Sequence, residues 1–376
     1  MPVKSPKKGA KIVVAMSGGV DSSVAAAWLK QQGYQVIGIS LQLHDMAVKE
    51  DNKFGSCCSL SDISDARRVA EQYEIPFYVT DMEKEFNASV VDDFVKEYLN
   101  GRTPNPCVKC NEKVKFSRLM DWAMDLGADF LATGHYANVS FNPENKQYEL
   151  LRGKDQSKDQ SYFLFTMKQD ELARTIFPLG DFEKPKVREL GRKLGLKVAN
   201  KPDSQEICFV QSRNYKDFIE ETVPKGMLSP GKIVDTAGNI RGDHSGLHQY
   251  TVGQRKGLGI NSKVPLYVVS LNNQTNEVVI GPETALMREE CVVSNLNWIN
   301  PPGLDVHHDF TAKIRYRAKE CEVELEPLLD NRLAVRFKQP QRSITPGQAM
   351  VFYRNDRVVG GGWIEDLPTS SFAALA

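Results

Sequence analysis

Over the first two hundred residues, short apolar runs alternate with longer stretches of helical periodicity. KIVVAMS (11–17) is apolar and too short for a buried helix, so it reads as a strand covered on both faces. GGVDSSVAAAWLKQQG (18–33) is alanine-rich and halts at Gly33, which predicts a helix. YQVIGISLQL (34–43) is a second strand, and SLSDISDARRVAEQYE (59–74) a helix with Ser61 as N-cap. PFYVTDM (76–82) is a third strand and FNASVVDDFVKEYLNG (86–101) another helix. NEKVKFSRLMDWAMDLG (111–127) places Phe116, Leu119, Met120 and Ala123 at helical spacing, and DFLATGHYA (129–137) is a fourth strand running into a loop. Strands alternating with helices predict βαβ units and a doubly wound parallel sheet. Ligands of such sheets sit beyond the carboxyl ends of the strands.

From about residue 205 the period shortens. KIVDTAGNI, LYVVSLNNQTNEVVIG, FTAKIRYRAKECEVELEPL, RLAVRFKQP and QAMVFYRNDRVVGGGWI are strand-like and separated by Gly, Pro and Asn. LNNQTNEVV and YRNDRVV have the look of hairpins. The expected architecture is therefore an α/β domain over 1–209, a small glycine-rich middle domain over 210–279, and a C-terminal β-barrel over 280–376.

Composition adds limits. The chain has 376 residues, more than one core usually supports. No run approaches the twenty or so apolar residues of a membrane span. The basic start MPVKSPKKGAK lacks the apolar core of a signal peptide, so a cytoplasmic protein with no membrane partner is expected. With 48 basic and 48 acidic residues, any nucleic-acid binding must rest on local patches. Seven cysteines do not suit a disulfide framework in a chain of this size.

AMSGGVDSS (15–23) lies where the first strand ends and the first helix begins. Gly18 and Gly19 permit a tight turn, and the open N–H groups of a helix start form an anion site. Ser17, Ser22 and Ser23 add hydroxyls. No Gly-Lys-Ser/Thr follows, so this is not a Walker loop. It resembles the pyrophosphate loop of the ATP pyrophosphatase superfamily, whose members adenylate an oxygen, release pyrophosphate and let a nucleophile displace AMP. Asp21 is then a candidate magnesium ligand.

TPNPCVKCN (103–111) sets Cys107 and Cys110 in C-x-x-C spacing. By itself that spacing suits half a zinc site, a redox dithiol, a cluster pair or a nucleophile. No second C-x-x-C or H-x-x-H completes a zinc site. The wider chain narrows the choice. TPNPCVKCNEKVKF (103–116), ATGHYA (132–137), KDQSYFL (158–164), DSQEICF (203–209), YTVGQRKGLGI (250–260), KIRYR (313–317) and PGQAMVFY (346–353) follow in that order. Together, from about residue 11 to 364, they resemble the tRNA-specific 2-thiouridylases.

That resemblance implies ATP-driven activation of O2 of the wobble uridine in tRNAs for Lys, Glu and Gln, followed by replacement of the oxygen with persulfide sulfur. It implies Cys208 as persulfide carrier and Cys110 as nucleophile, with a transient Cys110–Cys208 disulfide. It implies ATP contacts at Ala15, Met16, Ser17, Gly18, Gly19, Val20, Asp21, Ser22, Leu41 and Gly134, and magnesium with the ATP. Asn105, Pro106 and Cys107 would meet the target base. His135, Lys158, Asp159, Gln160, Arg315, Tyr316 and Gln348 would meet the anticodon loop of tRNA. A persulfide donor protein, such as a cysteine desulfurase or a relay, is the implied second partner. Many members have aspartate where this chain has Cys107, and a thiol is the weaker hydrogen-bond partner. The substitution opens an alternative: a 4Fe–4S cluster on Cys107, Cys110 and Cys208. A tRNA-binding relative without catalysis and an amidating ligase are the other readings. Cys291 and Cys321 read as structural, and Cys57 and Cys58 as buried or incidental thiols. The proline-containing stretches 103–111 and 200–210 are expected to be loops.

Overall fold

The computed structural model describes residues 6–43, 60–203, 207–210, 214–224, 226–301 and 310–365. Cys57, Cys58 and residues 204–206 of DSQEICF lie outside these. The chain divides into two compact units. One comprises residues 1–91, 106–213 and 356–359; the other comprises 92–105, 214–355 and 360–376.

The first unit is built on β1 (Lys11–Ala15), β2 (Gln35–Gln42), β3 (Phe77–Asp81), β4 (Phe130–Ala132) and β7 (Thr175–Ile176). All pair in parallel, in the order β3-β2-β1-β4-β7. β1 is central, with Val13 opposite Ile37 on one side and Leu131 on the other. Its Ile12 and Val14 join a core with Val24 and the Ala25–Ala27 run of helix α1 (Val20–Gln31) and with Ala66 and Val69 of helix α2 (Leu60–Gln72). Val13 points to the opposite face and is equally buried, which explains why the strand reads as an unbroken apolar run.

Two features of this unit differ from expectation. Residues 103–111 are not all loop. Pro106–Cys110 is a helical turn that continues through π-type turns over Asn111–Arg118 into a helix over Leu119–Asp125. Pro106 is suited to the start of a helix, where its missing N–H is not needed. Secondly, the loop after the fourth strand leads into a strand pair that was not expected. β4 stops at Ala132, and a hairpin follows: β5 (Ala137–Asn142) paired antiparallel with β6 (Gln147–Arg152).

Among the described residues, the second unit holds two α-helices, Asp92–Leu99 and Tyr215–Thr222. Tyr98 stacks on Tyr215 at 4.6 Å, and Phe94 meets Phe218 edge-on at 6.2 Å. The second helix falls where only strands were expected; Asn214 caps it, its side chain accepting from the Lys216 N–H. A four-stranded sheet follows, ordered β10-β11-β8-β9, from β8 (Gly231–Asp235), β9 (Ile240–His244), β10 (Tyr267–Asn272) and β11 (Glu277–Gly281). Its core is Ile233, Val268, Val278 and Ile280 with Leu247, Tyr250 and Leu258.

The C-terminal barrel is formed by β12 (Met287–Trp298), β13 (Phe310–Lys313), β14 (Cys321–Leu328), β15 (Arg332–Arg342), β16 (Ala349–Arg354) and β17 (Arg357–Ile364). Their order is β12-β15-β14-β13-β16-β17, closed by pairing of β12 with β17. Closure is tight. A Cβ on Gly360 would lie 2.4 Å from the Asn297 carbonyl oxygen, so the glycine run before Trp363 is what lets the strands meet. Both expected hairpins are present. Cys291 is fully buried here, and burial pushes its thiol well above the ordinary range; burial likewise raises Cys321, to about 11. Both remain protonated structural thiols. Among the described residues, no helix is long and apolar enough to cross a membrane.

Candidate active site

The glycine loop turns at the carboxyl end of β1. Gly18 has φ +71°, and a Cβ there would lie 2.0 Å from the Asp62 carbonyl oxygen. Gly19 is extended and starts α1. The loop is tied internally: the Ser17 N–H donates to Ser22 Oγ at 3.0 Å, and the two hydroxyls lie 3.2 Å apart. Lys201 braces it from outside, with Nζ donating to the Gly18 carbonyl (3.2 Å), Asp62 (2.6 Å) and Asp65 (2.6 Å). Gly134 closes in on the helix start, where a Cβ would lie 2.7 Å from the Ser22 nitrogen. Met16 and Leu41 are buried beside the loop on neighbouring strands, and the Met16 N–H donates to Ile39. Ala15 ends β1, and Val20 begins α1. Most of the expected ATP residues thus belong to one loop and the strand ends around it.

Asp21, in the first turn of α1, accepts from Lys184 Nζ at 2.8 and 2.7 Å and from Tyr136 Oη at 2.8 Å. Lys184 is buried and also pairs with Asp203 at 2.7 Å. Asp203 further pairs with Lys158 (2.8 Å) and Arg188 (2.9 Å). Burial pushes the Asp203 carboxyl up, but hydrogen bonds from Lys158 and Lys184 outweigh it and hold the group below its ordinary value. Burial and the neighbouring Asp21 charge raise the Tyr136 phenol far above its usual range, so it stays a donor. Sequence reasoning missed Lys184 and Asp203. One signal was available for Lys184: a lysine in the first turn of the Lys184–Lys193 helix opposes the helix dipole and calls for a local reason.

Cys107 is exposed and Cys110 buried, only 8% exposed, both on the turn that begins at Pro106. The turn is anchored just beyond Cys110. Asn111 donates to the Phe163 carbonyl at 3.0 Å and accepts from Lys115 at 3.1 Å. The Cys110 turn packs on the 87–91 stretch, and Phe86, immediately before it, meets Phe209 edge-on at 5.8 Å. Cys208, half-buried, precedes Phe209. The Cys110 turn and Phe209, next to Cys208 in the chain, therefore meet the same short stretch, 86–91. Among the described residues, no three His, Cys, Asp or Glu side chains gather to hold a metal ion. Cys107, Cys110 and Cys208 thus do not form a ready cluster site.

The remaining candidates separate by unit. In the first, the His135 ring packs against Phe177 (6.0 Å) and Phe116 (6.1 Å), with Nδ1 2.7 Å from Thr133 Oγ1. Burial, helped by the Lys115 charge, holds its pKa well below the ordinary value. The ring is therefore neutral in the fold, whereas the unfolded chain takes up a proton near pH ~6.5. Stability is present above that pH and is lost as pH falls below it. A His135→Gln variant is expected to flatten this part of the acid decline; melting temperatures of both proteins between about pH 7.5 and 5.5 check it, and parallel curves would contradict it.

Asp159 is buried, accepting from the Gly153 and Ser161 N–H groups at 3.1 Å and the Ser161 hydroxyl at 3.0 Å. Its carboxylate is engaged inside the fold. Gln160 accepts from the Tyr136 N–H at 3.0 Å. In the second unit, Arg315 donates weakly to the Arg342 and Ser343 carbonyls (3.5 and 3.4 Å), and Tyr316 is half-buried beside it. Gln348 donates to the Thr103 and Pro104 carbonyls at 3.0 and 3.1 Å, just ahead of buried Asn105. Thr103 N–H donates to Pro346, so PGQ (346–348) grips the chain leading into the cysteine turn.

An α/β domain with a serine–glycine loop on its first strand, an acidic first turn and no Walker lysine defines the ATP pyrophosphatase class of nucleotide-binding domain. Residues 10–212 match the family model described as "tRNA methyl transferase HUP domain", 216–282 the "tRNA methyl transferase PRC-barrel domain", and 288–364 the "Aminomethyltransferase beta-barrel domain". The chain is 53% identical to a tRNA-specific 2-thiouridylase of Geotalea uraniireducens, over 96% of each chain. It is 52% identical to that of Geobacter metallireducens, over 94% of this chain and 96% of the relative. With that of Clostridium beijerinckii the identity is 47%, over 95% and 99%. The chain belongs to the tRNA-specific 2-thiouridylase family.

Proposed function

We propose that this chain catalyses ATP-dependent 2-thiolation of the wobble uridine of tRNAs of the Lys, Glu and Gln type, as a sulfurtransferase of the cytoplasm. The observation that carries this is the pyrophosphate loop and the Cys110 and Cys208 stretches in one α/β unit, in a chain alike to named 2-thiouridylases along nearly its whole length. The C2 oxygen of uracil is a poor leaving group. In the proposed reaction it attacks the α-phosphorus of ATP, whose magnesium arrives with the nucleotide, and pyrophosphate leaves. The loop N–H groups and the α1 dipole stabilise that leaving group. The outer sulfur of a Cys208 persulfide then bonds to C2, and AMP departs with the oxygen. The Cys110 thiolate attacks the inner sulfur of Cys208 and breaks the S–S bond. This leaves sulfur on the uracil and a Cys110–Cys208 disulfide, which an external thiol reductant must open before a partner persulfide protein reloads Cys208.

In this reading, 1–209 is the catalytic domain, 210–279 a middle domain and 280–376 the tRNA-binding barrel. Cys107, with Asn105 and Pro106, lies beside the target base. Lys158, Gln160, His135, Arg315, Tyr316 and Gln348 face RNA. Asp159 supports its neighbours, because its carboxylate is already satisfied. The methyl transfer in the family-model descriptions calls for neither a pyrophosphate loop nor a second thiol, so thiolation accounts for more of the site. The test is direct. The chain is incubated with ATP, magnesium, a persulfide donor, a reductant and unmodified tRNA for Glu, and nucleosides are separated. 2-Thiouridine formed with one AMP per sulfur is expected; sulfur transfer without ATP would sink the reading.

A further inference from the structure

We propose that Lys184 is the residue that meets the β- and γ-phosphates of ATP, its ammonium passing from Asp21 to the nucleotide and leaving Asp21 to the nucleotide's magnesium. This rests on the reading of the glycine loop as an ATP site. The loop has no lysine of its own, yet the triphosphate it receives carries several negative charges. Dipole and N–H groups alone supply only partial positive charge. Lys184 is the buried cation at this place. Its three N–H donors are all used, two on Asp21 and one on Asp203, at 2.7–2.8 Å. Asp21 is the second residue of α1, so the ammonium sits at the helix end where the loop gathers phosphate oxygens.

Burying a lysine is unfavourable unless its charge is answered, and removing one partner of such a pair is strongly destabilising. A purely structural site needs one carboxylate to answer one lysine. Here Lys184 lies between Asp21 and Asp203, and Asp203 is already paired with Lys158 and Arg188. Asp203 is therefore answered without Lys184, which leaves that ammonium available to an incoming anion. Lys184 is also fixed at its base: its backbone N–H donates to Asp155 at 2.9 Å, and the ammonium lies 5.7 Å over the Tyr136 ring. Only the outer part of the side chain need move. When it turns to the phosphates, Asp203 keeps Lys158 and Arg188, and Asp21 keeps the Tyr136 hydroxyl while presenting its carboxylate to magnesium, an oxygen-seeking ion.

The experiment is isothermal titration of ATP with magnesium, and of AMP, into the full chain and its Lys184→Gln and Lys184→Arg variants, with thermal melting of each. Loss of a charge-assisted contact to phosphate predicts about 10- to 100-fold weaker ATP binding in Lys184→Gln. AMP, which lacks the outer phosphates, should bind within about threefold of wild type, since less than 0.7 kcal/mol is then at stake. Lys184→Arg should recover most of the ATP affinity. ATP and AMP weakened to the same degree would mean a merely structural lysine and overturn the proposal, as would unchanged ATP binding. If Lys184→Gln does not fold, Lys184→Met, neutral and close to lysine in length, takes its place: a loss confined to ATP supports the assignment, and equal loss or none overturns it. A wild-type chain that binds neither nucleotide refutes the ATP reading itself, whereas a wild type that binds ATP with indifferent variants refutes this inference alone.

Discussion

Gly18→Ala is expected to reduce ATP-dependent thiolation by about 100-fold or more, with a lower melting temperature. Two effects act together. The residue sits at φ +71°, where a side chain strains the backbone by roughly 1–2 kcal/mol. Its new methyl group would also lie 2.0 Å from the Asp62 carbonyl oxygen, which belongs to helix backbone and cannot swing aside. The loop must therefore lift away from α2. That movement disturbs the Lys201 bridge, which holds Gly18 and both Asp62 and Asp65. A displacement of about 1 Å in groups that position a reacting phosphate is enough for a hundredfold loss. Gly19→Ala is the internal control. It has φ −84°, and its Cβ would meet only Ser17 Oγ, at 3.6 Å, an ordinary contact. AMP and 2-thiouridine formation by the two variants, measured side by side, check this. Equal activity of both would show that loop geometry does not govern turnover.

In a single turnover of persulfide-loaded protein without added thiol, Cys110→Ser and Cys208→Ser are each expected to lower 2-thiouridine formation by about three orders of magnitude, since a hydroxyl neither carries a persulfide nor ionises near neutral pH. They should fail at different stages. Cys208→Ser cannot be loaded with sulfur. Cys110→Ser can be loaded but cannot break the S–S bond, so a tRNA–protein adduct through Cys208 should accumulate and be released by added thiol. Neither change should disturb the fold strongly, because serine is close to cysteine in size, although burial of Cys110 makes a small stability loss expected. Cys107→Asp separates the cysteines by role. Cys107 is exposed, so aspartate is tolerated there and most activity should persist. A cluster dependent on three thiolates would instead be lost with it. Mass spectrometry of the trapped species, with nucleoside analysis, reads all three variants. An adduct through Cys110 in place of Cys208 would reverse the assignment of carrier and resolving thiol.

The sequence was most legible where physical constraint is local. β1 had to be an unbroken apolar run because both faces of a parallel sheet are covered, and the serine–glycine loop had to follow it. Less legible were features set by distant partners. Pro106 suggested a loop, yet proline at a first helical position starts a helix, and Asn111 anchoring on Phe163 lies 52 residues away. The 137–152 hairpin was masked because its strands follow a buried strand of similar composition with few intervening residues. The Tyr215–Thr222 helix is short and gains its packing from Phe94 and Tyr98, over a hundred positions earlier. At the site, the glycines and cysteines could be found because few residue types do their work. Asp203 and Lys201 could not, and Lys184 only by its unfavourable place in a first helical turn, since a lysine or aspartate in a helical or loop stretch ordinarily faces water and the fold is what shows these charges turned inward.

The Asp92–Leu99 helix has a consequence for how the molecule is made. It is synthesised early, but its aromatic face waits for Tyr215 and Phe218, Gly101 for Leu247 and Leu271, and Thr103 for Pro346. On a ribosome adding about 5–20 residues per second, those partners emerge several to tens of seconds later. Meanwhile Phe94 and Tyr98 have each other but not Tyr215 and Phe218 to pack against. The nascent chain thus carries an aromatic segment whose later partners are still unsynthesised, between two parts of the α/β unit. A fragment ending at residue 213 would keep that segment permanently uncovered and is expected to aggregate, so the nucleotide-binding part of this enzyme cannot be cut out simply by truncating the chain.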